Sequence, residues 1–174
     1  MIPMKHRNSG FTLLEILIVL AIIGIVAALG APVYFRYIYT QELVQSQQIL
    51  IQQINAGRTG ARKNSQTYWV EWQNNTSGGT VDTTRKFDTT TAYTAGVDTL
   101  KSLNISKNVQ LLGQTINSTT GASTPITRVT YTPPYGRSDV INTVFTLTHV
   151  NLPGVIYTVR VMGVMGKVIR VEKF

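Results

Sequence analysis

The sequence predicts an α+β protein in which one long N-terminal helix packs on an antiparallel β-sheet. Two observations carry this prediction. The N-terminal part of the 174-residue chain has an apolar run followed by helical periodicity, and the rest has short alternating segments rich in β-branched and aromatic residues. With 43% hydrophobic residues, the chain can form one packed domain plus an anchoring segment.

Residues 11–31 predict a membrane-spanning helix. The run FTLLEILIVLAIIGIVAALGA has only Thr12 and Glu15 as clearly polar members, and a helix of this length spans about 30 Å of hydrocarbon. The sequence KHR at 5–7 precedes it, so the positive-inside rule predicts a cytoplasmic N-terminus. An ordinary signal anchor or a secretory signal peptide is the alternative, but the small residue Gly10 precedes the run and no A-x-A-like cleavage site follows it.

Glu15 is the unusual member of this run. Placing a carboxylate at the centre of a spanning helix costs about 2.5–3.5 kcal/mol on insertion scales, so such a residue is expected to have a partner. The alternative is an acid tolerated near the helix N-terminus, where the helix dipole favours negative charge.

The segment G-FTLLEILIVLAIIGIVAALGAP resembles the prepilin signature of type IV pilins and type II secretion pseudopilins. It combines a basic leader, a Gly before Phe, a Glu at the fifth position after that Gly, and an apolar run. The resemblance implies that prepilin peptidase cleaves between Gly10 and Phe11 and that the new N-terminal Phe11 is N-methylated. It also implies a partner for Glu15, the α-amino group of Phe11 on a neighbouring subunit in a filament.

Gly24, Gly30 and Pro32 mark a predicted weak point in this helix, because glycine lowers helix propensity and an internal proline removes a backbone donor. In the resembled family, this part of the stem can lose helical hydrogen bonds when subunits leave the bilayer and enter the filament. Gly24 and Pro32 are therefore candidate assembly residues beside Phe11 and Glu15. A simple kink is the alternative.

Residues 32–64 predict the amphipathic outer half of the same helix, with an apolar stripe on one side and glutamines on the other. The positions that recur at helical spacing are Leu43, Gln47, Leu50, Ile54 and Ala61, with Val44 and Ile51 beside them, so the stripe includes one glutamine; Gln45, Gln48, Gln52 and Asn55 occupy the other positions. Gly57 and Gly60 are expected to weaken the last turns. Three cations near the helix end are expected to stabilise its C-terminus, with ligand binding as the alternative: Arg58, Arg62 and Lys63.

Residues 65–174 predict a mainly β head. Its predicted strands are TYWVEW, NVQLL, ITRVTY, TVFTLTHV, VIYTVRVM and KVIRVEK. The stretch 74–99 is dominated by Thr with Asn, Gly, Ser and Asp, which predicts a long surface loop.

The C-terminal half resembles the head of the GspH/FimT-type minor pseudopilins and pilins. The resemblance rests on VTYTPPYGRSD, TVFTLTHV and VIYTVRVMGVMGKVIRV, and on the basic helix end RTGARKNSQ. Two departures stand out: glycines occupy 57 and 60, where larger residues are usual, and the final turn reads GKVIR where some members show Gly-Arg-x-Arg. The resemblance therefore does not extend to that basic pair.

The composition argues against an enzyme. Cysteine is absent, which excludes thiol nucleophiles and thiolate zinc sites. His149 lies beside apolar residues, as a satisfied sheet histidine does, and no metal-ligand cluster, G-x-S-x-G motif, phosphate loop or calcium loop is evident. We therefore expect no catalytic residue, cofactor or metal.

The chain thus divides into a leader at 1–10, a transmembrane and filament-core helix at 11–31, an amphipathic stalk helix at 32–64 and a head at 65–174. The resemblance implies a minor pilin or pseudopilin of a type IV pilus, competence pilus or type II secretion pseudopilus. It places the chain in the bacterial inner membrane with its head periplasmic or extracellular. The implied partners are prepilin peptidase and other pilin or pseudopilin subunits.

The alternative is a minor pilin that binds DNA during uptake in natural transformation. The whole chain has 16 Lys and Arg against 8 Asp and Glu, and loss of the leader with Lys5 and Arg7 leaves a net charge of +6. Such a balance favours acidic partners, although most charged faces are only solvated. The candidate DNA contacts are Arg160, Lys167, Arg170 and Lys173.

Overall fold

The computed structural model describes residues 11–75, 77–86, 99–163 and 167–171, with the backbone alone at 85, 86, 167 and 169–171. A single helix, α1, spans Leu13–Asn64. The chain divides into two compact units, of which the second begins at Tyr39. We call them the N-terminal unit and the C-terminal unit.

The N-terminal unit contains the first half of α1. Thr12 caps this helix, because its Oγ1 accepts a hydrogen bond from the backbone N–H of Glu15 at 3.2 Å. The helix continues through Gly24 and Pro32, so the predicted weak point does not interrupt it. By length and composition, this part of α1 can cross a membrane.

Nine strands follow α1 in the part of the chain that the structure describes. They are β1 Thr67–Trp72, β2 Ser77–Lys86, β3 Thr99–Ile116, β4 Ser123–Pro125, β5 Arg128–Thr132, β6 Arg137–Ser138, β7 Thr143–His149, β8 Leu152–Met162 and β9 Lys167–Val171. All the pairings are antiparallel, in the order β6-β5-β1-β2-β3-β7-β8-β9, and β4 pairs with β3. The predicted α+β class is confirmed.

The second half of α1 packs on one face of this sheet. The predicted stripe is buried, and the glutamines at 45, 48 and 52 are exposed, as the helical period requires. On the sheet, alternate residues of β7 are buried, and Phe145 and Leu147 join the core. The core therefore lies between one helix and one face of the sheet.

The prediction of a polar loop at 74–99 is wrong for residues 77–86, because these residues form β2. This strand pairs with both β1 and β3, so it lies in the interior of the sheet. Val81 is the buried apolar residue of this strand. The threonines of the strand favour a pleated backbone because they are β-branched. Residues 87–98 of the predicted loop lie outside the described part of the chain.

The helix continues through Gly57 and Gly60 to Asn64. A Cβ at position 57 would lie 2.7 Å from Val70 Cγ2, and one at position 60 would lie 2.5 Å from the Tyr68 ring. The glycines therefore allow α1 to approach β1 closely, which larger residues would prevent.

Gln53 is a buried polar residue that connects α1 to two strands. Its Nε2 donates to the carbonyl oxygens of Val81 at 3.0 Å and Lys101 at 3.3 Å, and its Oε1 accepts from Thr83 Oγ1 at 2.6 Å. These bonds hold β2 and β3 against the helix at one position, because a shift of either strand would leave buried polar atoms without partners.

Candidate functional site

The N-terminal unit presents a continuous apolar surface. Every described residue from 11 to 37 is exposed, and Phe11 is 79% exposed. Monomeric soluble proteins rarely expose apolar patches larger than a few hundred Å². This surface can be buried in lipid or against the helices of other subunits.

Glu15 lies in the first turn of α1 and is exposed. Thr12-Leu-Leu-Glu15 also has the spacing of a capping box, in which the acid at the third helical position can reach back to the cap residue. This local role is a second explanation for Glu15, in addition to a pair with Phe11 of a neighbouring subunit. Gly10, the predicted last leader residue, lies outside the described residues.

The predicted DNA contacts lie on the last two strands. Arg160 in β8 is exposed and lines a shallow cleft with Ile116, Val144 and Met162. In β9, the backbone register pairs position 167 with the exposed Met162 and position 170 with the buried Val159. Strand positions three apart belong to opposite faces of the sheet, so positions 167 and 170 are not on the same face. Lys173 lies outside the described residues.

A polar cluster between α1 and the sheet was not predicted from sequence. Glu42 Oε2 lies 3.3 Å from His149 Nε2, and it accepts hydrogen bonds from Ser106 Oγ and from Asn108 Nδ2. The backbone N–H of Asn151 donates a hydrogen bond to His149 Nδ1 at 3.0 Å. In a neutral ring the proton is therefore on Nε2, and this N–H donates a hydrogen bond to the Glu42 carboxylate.

His149 is thus a buried sheet histidine with partners, as expected. Its ring also stacks on Tyr39 with centroids 4.6 Å apart. Among the residues that the structure describes, no group of three or more His, Asp or Glu is arranged to hold a metal ion.

This cluster predicts an acid-sensitive contribution to stability. The hydrogen bond from Ser106 holds the pKa of Glu42 below its ordinary value of 4.5, with further bonds from Asn108 and His149 opposing the effect of burial. A lowered folded pKa means that the stabilisation is present above the unfolded pKa and is lost as pH falls through the folded pKa. We expect Glu42→Gln to flatten the pH dependence of unfolding below about pH 4.5.

Urea unfolding of the C-terminal unit at a series of acidic pH values measures this effect. Glu71→Gln in β1 is the matched control, because Glu71 pairs with Arg128 and lies outside the cluster. An unchanged acid slope in Glu42→Gln contradicts the prediction.

The three cations near the end of α1 have different environments. Arg62 and Lys63 lie in the last turn, where a helix C-terminus favours positive charge. Arg58 is half-buried one turn earlier, and a Cβ added at Gly136 would lie 2.7 Å from the Arg58 carbonyl oxygen and 3.0 Å from Arg62 Cγ. Arg58 and Arg62 therefore both help to pack the β5–β6 turn on the helix, a contact that the capping interpretation missed.

Comparisons with known proteins agree with this architecture. Residues 5–31 match the prokaryotic N-terminal methylation motif. Sequences of the type IV major fimbrial protein FimA of Dichelobacter nodosus are 57% identical to the chain over 35 residues, which is 20% of this chain and 22% of the relative. The chain thus matches about a fifth of the length of these curated relatives.

The fold also has a solved counterpart. The type IV minor pilin FimU of Pseudomonas aeruginosa PAO1 superposes with a TM-score of 0.53, covering 76% of this chain and 90% of that one, at 9% sequence identity. A likeness at this identity establishes the fold. The chain therefore combines an N-terminal methylation motif with a pilin-like fold, and the solved counterpart is a minor pilin.

Proposed function

We propose that the chain is a minor pilin or pseudopilin, a structural subunit of a type IV filament. The leader at 1–10 is removed by prepilin peptidase, and Phe11 becomes the N-methylated first residue. Residues 11–31 anchor the precursor in the inner membrane and then form part of the filament core, with the C-terminal unit on the periplasmic or extracellular side. Other pilin or pseudopilin subunits are its partners.

One observation carries this proposal. The described part of the methylation motif, residues 11–31, and residues 32–37 after it are exposed on all sides, while one side of the same helix is buried against a sheet further along the chain. A chain of this kind needs lipid before assembly and neighbouring helices after it, because both environments bury its apolar surface. This requirement supports a subunit of a helical filament over a soluble binding protein.

Processing gives the direct test. In cells with prepilin peptidase, we expect the mature chain to begin at Phe11 with one added methyl group, as measured by intact-mass spectrometry. Replacing Gly10 with Leu should leave the precursor uncut, because a bulky side chain would occupy the position next to the cleaved bond. Gly24→Leu is the matched control, since a side chain there meets no other atom within 4 Å. A mature start after residue 31, or normal cleavage of Gly10→Leu, contradicts the proposal.

A second candidate function is DNA binding by the filament or its tip, favoured by the exposed Arg160 on a strand next to two further cationic positions. Contacts of this type are made with phosphates, so they are independent of sequence and sensitive to salt. Positions 167 and 170 pair with residues on different faces of the sheet. Position 167 is on the same face as Arg160, so we choose Arg160 and Lys167 as the pair of candidate DNA contacts.

Titration of labelled duplex DNA at several salt concentrations tests this function. We expect Arg160→Gln and Lys167→Gln each to lower the salt slope by roughly one unit, through the loss of one phosphate contact. Arg137→Gln is the control, because Arg137 is exposed on β6 at the other edge of the sheet. Absence of binding at low salt removes this candidate and leaves the filament-subunit function unaffected.

A further inference from the structure

We propose that Tyr34, Phe35, Arg36 and Tyr37 form a ring around α1 that binds the headgroup region of a phospholipid bilayer. By this contact the ring sets the depth of the membrane helix before the subunit enters a filament. The inference rests on the proposed membrane anchoring, and it assigns the residues that determine where the anchor stops. We call these four residues the interfacial ring.

The ring encloses the helix on all sides. Successive residues of an α-helix are rotated by about 100°, so four consecutive residues cover the whole circumference. All four are exposed, at 62% for Tyr34, 51% for Phe35 and 61% for Tyr37. Before assembly, contact with one neighbouring protein chain would use positions three and four apart, on one side of the helix. A planar lipid interface instead surrounds the helix at one depth, which fits a ring.

The ring lies at the depth where the hydrocarbon should end. The anchor at 11–31 corresponds to about 30 Å of helical rise, which is the thickness of a bilayer's hydrocarbon core. The interfacial ring begins three residues later, about 4.5 Å further along α1, which lies within a headgroup region of roughly 5–7 Å on each side of the core. The compact C-terminal unit begins only at Tyr39, so the ring occupies the last full turn before that unit.

The side chains match the chemistry of a headgroup region. Tyrosine has an apolar ring and a polar hydroxyl, and it is enriched at both membrane–water interfaces for this reason. The Arg36 guanidinium can form two parallel hydrogen bonds to a lipid phosphate while its stem contacts the acyl region. Phe35 packs edge-on against Tyr34, with centroids 6.0 Å apart, and adds apolar contact at the acyl boundary.

Site-directed spin labelling of the full chain tests the ring. The protein has no cysteine, so single cysteines at 34, 35, 36 and 37 can each be labelled without altering other residues. The labelled chains are reconstituted in vesicles of phosphatidylethanolamine and phosphatidylglycerol. Collision rates with oxygen and with a water-soluble nickel chelate then report depth. We expect all four sites to share one interfacial depth, with labels at 19 and 23 in the hydrocarbon.

Two results overturn the ring. Accessibility that varies along 34–37 with a period near 3.6 residues shows that a second protein chain covers one side of the helix. Full exposure of all four sites to the nickel chelate places them in bulk water. Failure of the anchoring itself has a different signature, because the labels at 19 and 23 would then also be exposed to the chelate.

A double variant and its matched control test whether the interfacial ring determines how deeply the membrane helix lies in the bilayer. Replacing Tyr34 and Tyr37 together with Leu lengthens the apolar segment, so a label at 26 should move deeper by about two residues of helical rise, or roughly 3 Å. The control replaces Ile22 and Ile23 with Leu, which leaves the ring intact and should leave that depth unchanged. An unchanged depth in the tyrosine variant shows that the ring does not determine it.

Discussion

Glu15→Val is expected to insert and to be cleaved normally, yet to enter filaments at least a hundredfold less efficiently than the natural chain. In the proposed function, cleavage creates a positive α-amino group at Phe11, and a filament core of packed helices would exclude water from it. Removing one partner of a buried ion pair costs about 3–5 kcal/mol, because the other charge is left uncompensated. A cost of that size corresponds to a factor of more than 100 in an equilibrium.

The capping-box spacing of Thr12 and Glu15 supplies the discriminating control. Glu15→Gln keeps the ability to hydrogen-bond at the third helical position and loses only the charge. If the charge pair matters, the Gln and Val variants fail alike. If the Gln variant assembles normally, capping explains Glu15. Cysteine crosslinking between subunits, in this cysteine-free chain, measures assembly in each variant.

Gln53→Ala is expected to destabilise the C-terminal unit by about 3 kcal/mol, a large fraction of the 5–15 kcal/mol typical of a domain. The side chain is fully buried and holds Val81, Thr83 and Lys101 through hydrogen bonds. Its loss leaves a cavity and removes partners from buried polar atoms, and each effect is worth about 1–3 kcal/mol. Urea unfolding of residues 39–174 measures the change.

Two further variants show how much of this loss of stability comes from the hydrogen bonds of Gln53. Gln52→Ala changes the exposed neighbour and should alter stability by no more than about 0.5 kcal/mol. The double variant Gln53→Leu with Thr83→Val replaces both members of one hydrogen bond by apolar groups. It should lose less stability than the two single changes together, because neither partner is left unsatisfied. Strict additivity would show that the bond between Gln53 and Thr83 contributes nothing.

Much of the architecture follows from local pattern. The apolar run at 11–31 and the stripe from Leu43 to Ala61 are one-dimensional signals, because a helix repeats every 3.6 residues whatever it packs against. Strand β1 is equally local, since TYWVEW combines alternation with strong β propensity, and its bounds agree with the prediction. The methylation motif is read from neighbouring residues in the same way.

Other features depend on residues that are distant in sequence. Strand β2 has a polar composition typical of a loop, and it becomes a strand because β1 and β3 pair with it on both sides. Gly57 and Gly60 resemble helix breakers until Val70 and Tyr68 are placed against them.

The buried polar contacts have the same origin. Gln53 resembles any other glutamine in the helix, and Glu42 meets His149 across 107 residues of sequence. The chain by itself thus determined where its helix lies and which side of it is apolar. Only the tertiary structure decided which polar side chains are buried and which glycines permit close packing, because burial and hydrogen-bond partners are set by atoms from the opposite side of the core.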